Sequence, residues 1–201
     1  DRIQSLIFFG PPGTGKTSLA QIIARRTKSH FERLNATESN ISDIRRLVAE
    51  AKIRLENTGI ATLVFVDELH RFNKTQQDAL LPHLETGILK LIGATTENPC
   101  FSVTAPIVSR SQIFELRPLL EVDLLGLLRR ALQDEERGLG KWNITSTEEA
   151  LKHLARICGG DARRALSALE IGALTTPPDS EGVIKLKLEV AEQSIQTKAL
   201  V

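Results

Sequence analysis

Short apolar runs alternate with helical patterns along the first 117 residues of the chain. The run at 62–66 is apolar almost throughout, a pattern typical of a strand that is buried on both faces of a parallel sheet. Similar runs, rich in apolar and β-branched side chains, recur along this part of the chain. Together they predict five strands of one parallel sheet, at positions 6–9, 31–34, 61–66, 89–94 and 112–116.

Helical periodicity fills the intervals between these predicted strands. Asn40 stands where the N-cap of a helix belongs, and Asp43 follows three positions on. Beyond the cap, apolar residues recur three and four positions apart, at Ile41, Ile44, Leu47, Val48, Ala51 and Leu55. Strands that alternate with helices in this way predict a three-layer α/β domain over residues 1–117.

Residues 118–201 have mainly helical patterns and are predicted to form a second, smaller domain. Ser146 and Glu149 have the spacing of a capping box at the start of its middle helix, and Asp161 is placed to cap the next. A proline-rich break precedes a short β-like stretch at 183–186 and a last helix. Three helices are expected before that break, at positions 122–136, 148–157 and 162–174.

The charge of the chain is balanced, because 26 basic and 25 acidic residues leave a formal net charge of +1. There is no overall basic signature for nucleic acid, so any DNA-binding surface must be a local patch. Aromatic residues make up only 4% of the chain, which argues against a platform for stacking bases. One basic cluster, more often a solvated face than a phosphate-tracking patch, lies on the predicted second helix: Arg45, Arg46, Lys52 and Arg54.

Other features exclude several kinds of site. Two cysteines, Cys100 and Cys158, are too few for a disulfide framework or a four-ligand zinc site, and the four histidines lack metal-ligand spacing. No apolar run has the length of a membrane span and no signal-peptide pattern opens the chain, so we expect a cytoplasmic protein, or a nuclear one in a eukaryote. The absence of methionine, even at position 1, indicates an excerpt from a longer chain.

A glycine-rich segment follows the first predicted strand and leads into a helix. Glycines allow successive backbone N–H groups to curl around phosphate oxygens, and the helix that begins near Lys16 directs its positive end at the same anion. Lys16 is expected to reach the β- and γ-phosphates, and the Thr17 hydroxyl to bind Mg²⁺. The predicted phosphate-binding residues are Ser18 and the eight residues before it, which match G-x-x-x-x-G-K-[ST]: Gly10, Pro11, Pro12, Gly13, Thr14, Gly15, Lys16 and Thr17.

The predicted third strand ends in two adjacent carboxylates, Asp67 and Glu68. Asp67 stands where a strand end would hold Mg²⁺, directly or through water. Glu68 is placed to orient or deprotonate a water that attacks the γ-phosphate. A solvated acidic pair is the alternative, but a phosphate loop in the same domain favours the catalytic role. Glu68 also favours a hydrolase over a nucleotide-binding switch, because a hydrolase needs such a residue and a switch does not.

These two motifs, followed by a helical domain, resemble the AAA+ ATPases over essentially the whole chain. The resemblance implies a P-loop NTPase in which a three-layer parallel-sheet core precedes a small helical lid, with ATP and Mg²⁺ bound. It also implies a polar residue at the end of the fourth strand that senses the nucleotide, and Thr96 is favoured over Thr95 because it is nearer the strand end. Asn35, after the second strand, either restrains the catalytic glutamate or is an ordinary turn residue.

The same resemblance implies roles for two arginines. The segment 107–111 is similar to the Ser-Arg-Cys box of clamp-loader ATPases, with serine in place of cysteine, and Arg110 would then be an arginine finger that enters the neighbouring subunit's site. The segment 160–166 is similar to the sensor 2 motif, in which Arg163 would reach back to the nucleotide and Arg164 is the competitor. Solvated surface arginines are the alternative in both places.

Within the AAA+ ATPases, the run 67–79 and the segment 93–99 are similar to the RarA/MgsA replication-associated group, to which the Werner-helicase-interacting ATPase belongs. The stretch from His70 to Gln77 is the most specific part of this likeness. The resemblance implies a DNA-dependent, tetrameric ATPase that works at stalled forks and gaps alongside single-strand-binding protein. A clamp-loader-like subunit, in which ATP governs assembly rather than turnover, is the alternative.

Two departures from the family pattern bear on these expectations. The chain begins almost at the first strand, without the preceding segment that packs near the adenine in AAA+ proteins. It also ends after the helical lid, ahead of the C-terminal helical region that builds the tetramer. We therefore expect this length of chain, by itself, to be monomeric and weakly active.

Overall fold

The computed structural model describes residues 5–196, which divide into two compact units. Among these residues, the first unit takes in 5–11 and 15–116, and the second takes in 12–14 and 117–196. The division after residue 116 lies one residue from the boundary that the sequence predicts. Each unit has a hydrophobic core of its own.

A parallel sheet is the framework of the first unit. Its strands stand in the order β2-β3-β4-β1-β5, and every neighbouring pair is parallel. Each strand begins and ends within one residue of its predicted run. The strands are β1 (Ser5–Phe9), β2 (His30–Asn35), β3 (Thr62–Asp67), β4 (Leu89–Thr95) and β5 (Ser111–Glu115).

Helices connect these strands, as parallel pairing requires. α2 begins as predicted, because the Asn40 side chain accepts N–H bonds from Ser42 and Asp43 while the Asp43 carboxylate accepts the Asn40 N–H. A turn of 3₁₀ helix, Leu69–Arg71, follows β3. The α-helices of this unit are α1 (Lys16–Arg26), α2 (Ile41–Thr58), α3 (Lys74–Glu85), α4 (Pro99–Ser102) and α5 (Ala105–Val108).

Apolar cores lie on both faces of the sheet, and β3 contributes to each. Val64 and Val66 belong to the core that includes residues of α2 and α3, whereas Leu63 and Phe65 belong to the core that includes residues of α1. Successive side chains of a strand point to opposite faces, so a strand covered on both sides is apolar throughout. All four side chains are fully buried. The predicted three-layer α/β fold is confirmed.

The second unit packs four helices and a two-stranded parallel sheet around its own apolar core. The middle helices and the last strand lie close to their predicted positions, and Asp161 caps α8 as predicted by accepting the Arg164 N–H. The elements are α6 (Glu121–Gln133), β6 (Ile144–Ser146), α7 (Glu148–Ile157), α8 (Ala162–Thr175), β7 (Ile184–Leu186) and α9 (Leu188–Gln196).

Two local predictions in this unit are wrong. The N-cap of α7 is Thr147, whose hydroxyl accepts the Ala150 N–H, because pairing with β7 holds Ser146 in a strand that sequence reasoning did not predict. The first helix was expected to reach residue 136 but ends at Gln133. The chain there folds back so closely that a Cβ on Gly138 would lie 2.2 Å from the Ala131 carbonyl oxygen.

Candidate nucleotide site

The carboxyl ends of the parallel strands bring most of the predicted site residues to one edge of the sheet. β1 leads directly into Gly10, and β3 ends at Asp67 beside Asn35 of β2, its partner in register. β4 ends at Thr95, whose carbonyl accepts the Gly10 N–H at 3.1 Å. This is the edge at which open parallel sheets bind ligands.

The glycines of the loop after β1 are required by its backbone. Gly10, Gly13 and Gly15 all have positive φ angles, of 142°, 72° and 90°. A Cβ on Gly10 would lie 2.0 Å from the Leu116 carbonyl oxygen, so no other residue fits there. A Cβ on Gly15 would meet nothing within 4 Å, which leaves open space where the loop turns into α1.

α1 begins directly after this loop, at Lys16, with Thr17 and Ser18 in its first turn. Gly15 is the N-cap and has no side chain to accept the first N–H groups, and no acidic residue stands in the first turn. Lys16 Nζ donates to the carbonyl oxygens of Gly10 and Pro11, at 2.8 and 2.7 Å. Backbone N–H groups, one ammonium and one hydroxyl are the donors and ligands that a magnesium-bound nucleoside triphosphate requires. These residues therefore fit a nucleoside triphosphate with its Mg²⁺.

The two carboxylates after β3 have different surroundings. Asp67 is the last residue of the strand, and its Oδ2 accepts a charge-assisted bond of 2.7 Å from Arg33 on β2. Glu68 has a left-handed backbone, with φ 53° and ψ 44°, which is uncommon for a residue with a long side chain. Such strain persists where surrounding structure requires it, and it clusters at functional sites.

Packing of the next residue accounts for the sharp turn at Glu68. Leu69 is fully buried and lies against Gly93 of β4, where a Cβ would come within 2.5 Å of the leucine side chain. The chain must therefore reverse within one residue to bury Leu69 against the sheet. Gly93 is part of the site's architecture that the sequence pattern did not identify as such.

His70 occupies the centre of this edge, which sequence reasoning missed. Its side chain is only 6% exposed. Its Nδ1 is bonded to Thr95 Oγ1 at 2.9 Å and lies 3.5 Å from a Glu68 carboxylate oxygen. Its Nε2 lies 3.7 Å from Glu97. The only signal in the sequence was the group-specific run from His70 to Gln77.

The two threonines at the end of β4 differ in exposure. Thr95 is 1% exposed, and its hydroxyl is bonded to His70 and accepts the Glu97 N–H. Thr96 lies just beyond the strand and is exposed. The side-chain oxygen of Asn35 accepts hydrogen bonds from the backbone N–H and the hydroxyl of Thr37, at 3.2 and 2.8 Å. Bonds of this kind stabilise a turn.

Arg110 lies at the opposite edge of the sheet from the phosphate loop. It immediately precedes β5, whose first residue, Ser111, pairs with Ser5 at the start of β1. Parallel strands rise about 3.3 Å per residue, so Ser111, which is level with Ser5, lies roughly 17 Å from Gly10 along the sheet, and Arg110 lies one residue further away. The guanidinium is half-exposed, pairs with Glu85 at 2.8 Å and donates to the Pro106 carbonyl. Arg110 therefore cannot reach the phosphate loop of its own chain.

Arg163 and Arg164 stand in the first turn of α8, in the second unit, and both are exposed. The backbone N–H of Arg164 donates to the Asp161 cap, which leaves both guanidinium groups outside the capping arrangement. The two arginines therefore remain equal candidates for the sensor 2 residue that would contact the nucleotide.

The described residues contain no cluster of metal-binding side chains. Across residues 5–196, no three His, Cys, Asp or Glu side chains are grouped so as to hold a metal ion. Within the same residues, neither Cys100 nor Cys158 forms a disulfide bond. None of the helices in the described part of the chain is long and apolar enough to cross a membrane.

Two family models match the chain. The one described as "ATPase family associated with various cellular activities (AAA)" matches residues 6–119, and the one described as "AAA C-terminal domain" matches residues 140–201. The Replication-associated recombination protein A of Bacillus subtilis is 44% identical over 98% of this chain and 46% of its own length. The same-named protein of Escherichia coli is 43% identical over 94% of this chain and 42% of its own.

A eukaryotic relative and a solved structure agree with these matches. The ATPase WRNIP1 of Dictyostelium discoideum is 41% identical over 84% of this chain and 19% of its own length. The Holliday junction branch migration motor RuvB of Thermotoga maritima has the same fold, with a TM-score of 0.72 at 22% identity over 97% of this chain and 62% of that one. The chain therefore belongs to the AAA family of ATPases and, within it, to the RarA/MgsA group. It spans less than half the length of the curated relatives that it matches.

Proposed function

We propose that this chain is the ATP-hydrolysing part of a Mg²⁺-dependent ATPase that acts on DNA in replication-associated recombination and repair. The observation that carries the proposal is one sheet edge that holds both a phosphate-binding loop and a strained glutamate one residue beyond a strand-end aspartate. The names of the relatives support the link with replicating DNA.

Each residue at this edge has a defined chemical task in the proposal. The loop from Gly10 to Gly15 and the first turn of α1 bind the phosphates, and Lys16 exchanges its two carbonyl partners for phosphate oxygens. Glu68 accepts a proton from the attacking water, and Thr96 contacts the γ-phosphate region. Thr17 and Asp67 would hold Mg²⁺, which would supply positive charge that offsets the charge developing on the phosphoryl oxygens.

The position of Arg110 supports an assembled enzyme. A guanidinium stabilises charge at the transferred phosphoryl group only from direct contact. Because Arg110 lies at the far edge of its own sheet, the site that it completes belongs to a neighbouring subunit. We accordingly propose a homo-oligomer, a tetramer by resemblance to the group, in which Arg163 contributes from the second unit of the chain that binds the ATP.

DNA contact is proposed to be local and directed at phosphates, with single-strand-binding protein and the replication machinery as partners. On α2, Arg54 donates to Thr62 and lies 3.6 Å from Glu32, so it serves the fold, and Arg46 pairs with Asp43. Arg45 and Lys52 remain as exposed groups for such contact. A bacterial protein of this kind works in the cytoplasm, where the chromosome is.

The test is ATP turnover of the full-length protein, with and without DNA, at defined salt. We expect gapped or forked DNA to raise kcat, and the effect to weaken as salt rises, because phosphate contacts release counterions. A Glu68→Gln variant gives the background rate. Turnover no higher than that background, on any DNA, would overturn the enzyme proposal, whereas turnover that DNA does not change would overturn only the DNA dependence.

Replacing Arg33 is predicted to change the metal requirement. Arg33 competes with Mg²⁺ for Asp67, and exposed pairs of this kind contribute about 0.2–1 kcal/mol. Arg33→Gln should therefore lower the Mg²⁺ concentration at half-maximal turnover by about 1.4- to 5-fold. Arg26→Gln, a change of an exposed arginine at the end of α1, is the matched control and should leave the Mg²⁺ titration unchanged. An unchanged midpoint in Arg33→Gln would contradict the proposed role of Asp67.

A further inference from the structure

Gln77 is a buried amide whose two ends join separate parts of the first unit. It lies in the first turn of α3 and is 3% exposed. Its Nε2 donates to the Phe72 carbonyl at 2.9 Å, and its Oε1 accepts the Thr104 N–H at 2.8 Å. Phe72 is 2% exposed, so loss of the Gln77 side chain leaves its carbonyl unpaired in the interior, and it also removes the acceptor of the partly buried Thr104 N–H.

The two partners of Gln77 belong to functionally distinct segments. Phe72 closes the 3₁₀ turn that begins immediately after Glu68. Thr104 is the N-cap residue of α5, the short helix that leads to Arg110. Gln77 therefore connects the end of the catalytic turn of its own chain to the segment that presents Arg110.

α3 holds the Arg110 segment at a second point. Glu85, the last residue of α3, pairs with the Arg110 guanidinium at 2.8 Å, and Arg110 also donates to the Pro106 carbonyl within α5. One continuous helix thus contacts the segment 104–110 at its beginning, through Gln77, and at its end, through Glu85. The contact between Gln77 and Thr104 is partly buried and the Glu85 contact is half-exposed, so the first contributes more to the position of the segment.

We propose that Gln77 is a positioning residue that holds Arg110 in place for the ATP site of the neighbouring subunit. The proposal rests on the function proposed above for Arg110. It accounts for a glutamine at the end of the group-specific run His70–Gln77, where an apolar residue would otherwise suit a buried helix face.

The neighbouring Gln76 provides a matched control. Its Nε2 donates to the Ser39 carbonyl at 2.9 Å, and its Oε1 accepts the Asn73 N–H at 2.9 Å. Its chemistry and helix are therefore those of Gln77, but its contact is with the loop between β2 and α2. Gln76→Met and Gln77→Met each remove one donor and one acceptor with little change of volume.

Thr104→Pro breaks the same bond from the other side. Thr104 has φ −63°, the value that proline imposes, and Val103 has φ −117° and ψ 144°, which suits a residue before proline. The substitution removes the N–H that Gln77 accepts. Within residues 5–196, the buried Thr104 Oγ1 has no hydrogen-bond partner, so its loss removes no bond. This variant keeps the test decisive if Gln77→Met does not fold.

The first measurement is hydrogen exchange, without nucleotide, of the backbone amides of residues 104–110 other than Pro106. Gln77→Met should make these amides exchange faster, while Gln76→Met should leave them at the parental rate. Equal exchange in Gln77→Met and the parent would overturn the proposal. Equal acceleration by Gln76→Met would do the same, since the effect would then be a general loosening of α3.

The second measurement is turnover in mixed oligomers of the full-length protein. Displacing Arg110 should lower kcat by about 10- to 100-fold with little change in KM for ATP. Mixing Gln77→Met or Thr104→Pro with Lys16→Ala should restore turnover, because the defective Arg110 segment and the defective phosphate loop then belong to different sites. If these mixtures stay inactive while Arg110→Ala with Lys16→Ala regains activity, the proposal for Gln77 fails alone. If the Arg110→Ala mixture also stays inactive, the function proposed for Arg110 fails.

Discussion

Glu68→Gln should bind ATP as tightly as the parent protein and hydrolyse it at least about 10²-fold more slowly. The amide has the shape of the carboxylate but cannot take a proton from the attacking water. Phosphate binding is unaffected, because it depends on the loop after β1 and on Lys16. Single-turnover hydrolysis and the Kd of a fluorescent ATP analogue measure the two effects separately.

Glu97→Gln is the matched control for this variant. Glu97 lies 3.7 Å from His70 at the same edge of the sheet, but it is exposed and does not follow the strand-end aspartate. Its replacement should change kcat less than about twofold, because Glu97 is exposed and has no role in the proposed proton transfer, and exposed substitutions generally change the free energy of unfolding by less than about 0.5 kcal/mol. Equal losses in the two variants would mean that the charge around His70, and not a base at position 68, governs turnover.

Glu68→Gln also distinguishes an ATP-hydrolysing enzyme from a scaffold in which ATP governs only assembly. A motor with Glu68→Gln accumulates in its ATP-bound state, so its affinity for DNA or partner proteins changes in the presence of ATP. A scaffold keeps the parental affinity, because it never used the carboxylate. Parental partner affinity together with unchanged turnover would favour the clamp-loader-like alternative.

Arg110→Ala is expected to lower kcat by about 10³-fold or more in the full-length protein, with ATP binding retained. The geometry behind this expectation is the position of Arg110 at the start of β5, one strand length away from the loop that follows β1. Removing it leaves the nucleotide site of its own subunit intact and deprives the neighbouring site of its guanidinium. ATP binding and steady-state turnover on the same preparation measure the two effects.

Mixing Arg110→Ala with Lys16→Ala tests whether the arginine acts between subunits. In a random equal mixture, about one quarter of the head-to-tail interfaces combine an intact phosphate loop with an intact arginine, so activity should return to about that fraction. Arg26→Ala, which removes an exposed arginine at the end of α1, should cause no loss. A mixture as inactive as its two components would assign Arg110 a structural role within its own chain.

Local sequence patterns were sufficient for the elements of the first unit. The course of β3 and the cap at Asn40 depend on residues close together in the chain. The strand was predicted to within one residue at each end, and the cap was predicted at the correct residue. The N-cap of α7 was assigned one residue too early, to Ser146, for the opposite reason. β7 lies some forty residues further along the chain, and its pairing places Ser146 in a strand. The residues around the start of a helix do not indicate whether a strand so far away in the sequence pairs with them.

The candidate site divides in the same way. Gly10, Lys16 and Asp67 stand in contiguous motifs, because phosphate chemistry demands fixed spacing along one loop or one strand end. The residues that support them come from distant positions: Arg33 meets Asp67 across 34 residues, and His70 meets Thr95 across 25. Neither pair had a signal beyond ordinary polar residues in otherwise well-formed elements.

By itself, then, the sequence determined the fold class, the phosphate loop, the acidic pair and the family, since each is written in neighbouring residues. Only the tertiary structure decided that Asn35 serves a turn, that Thr95 is buried while Thr96 is free to face solvent, and that Arg110 lies away from its own phosphate loop. It also decided that Gln77 is bonded both to Phe72, at the end of the turn after Glu68, and to Thr104, at the start of the segment that leads to Arg110. The physical reason is that parallel strands collect their carboxyl ends at one edge and their amino ends at the other, whatever the order of residues along the chain.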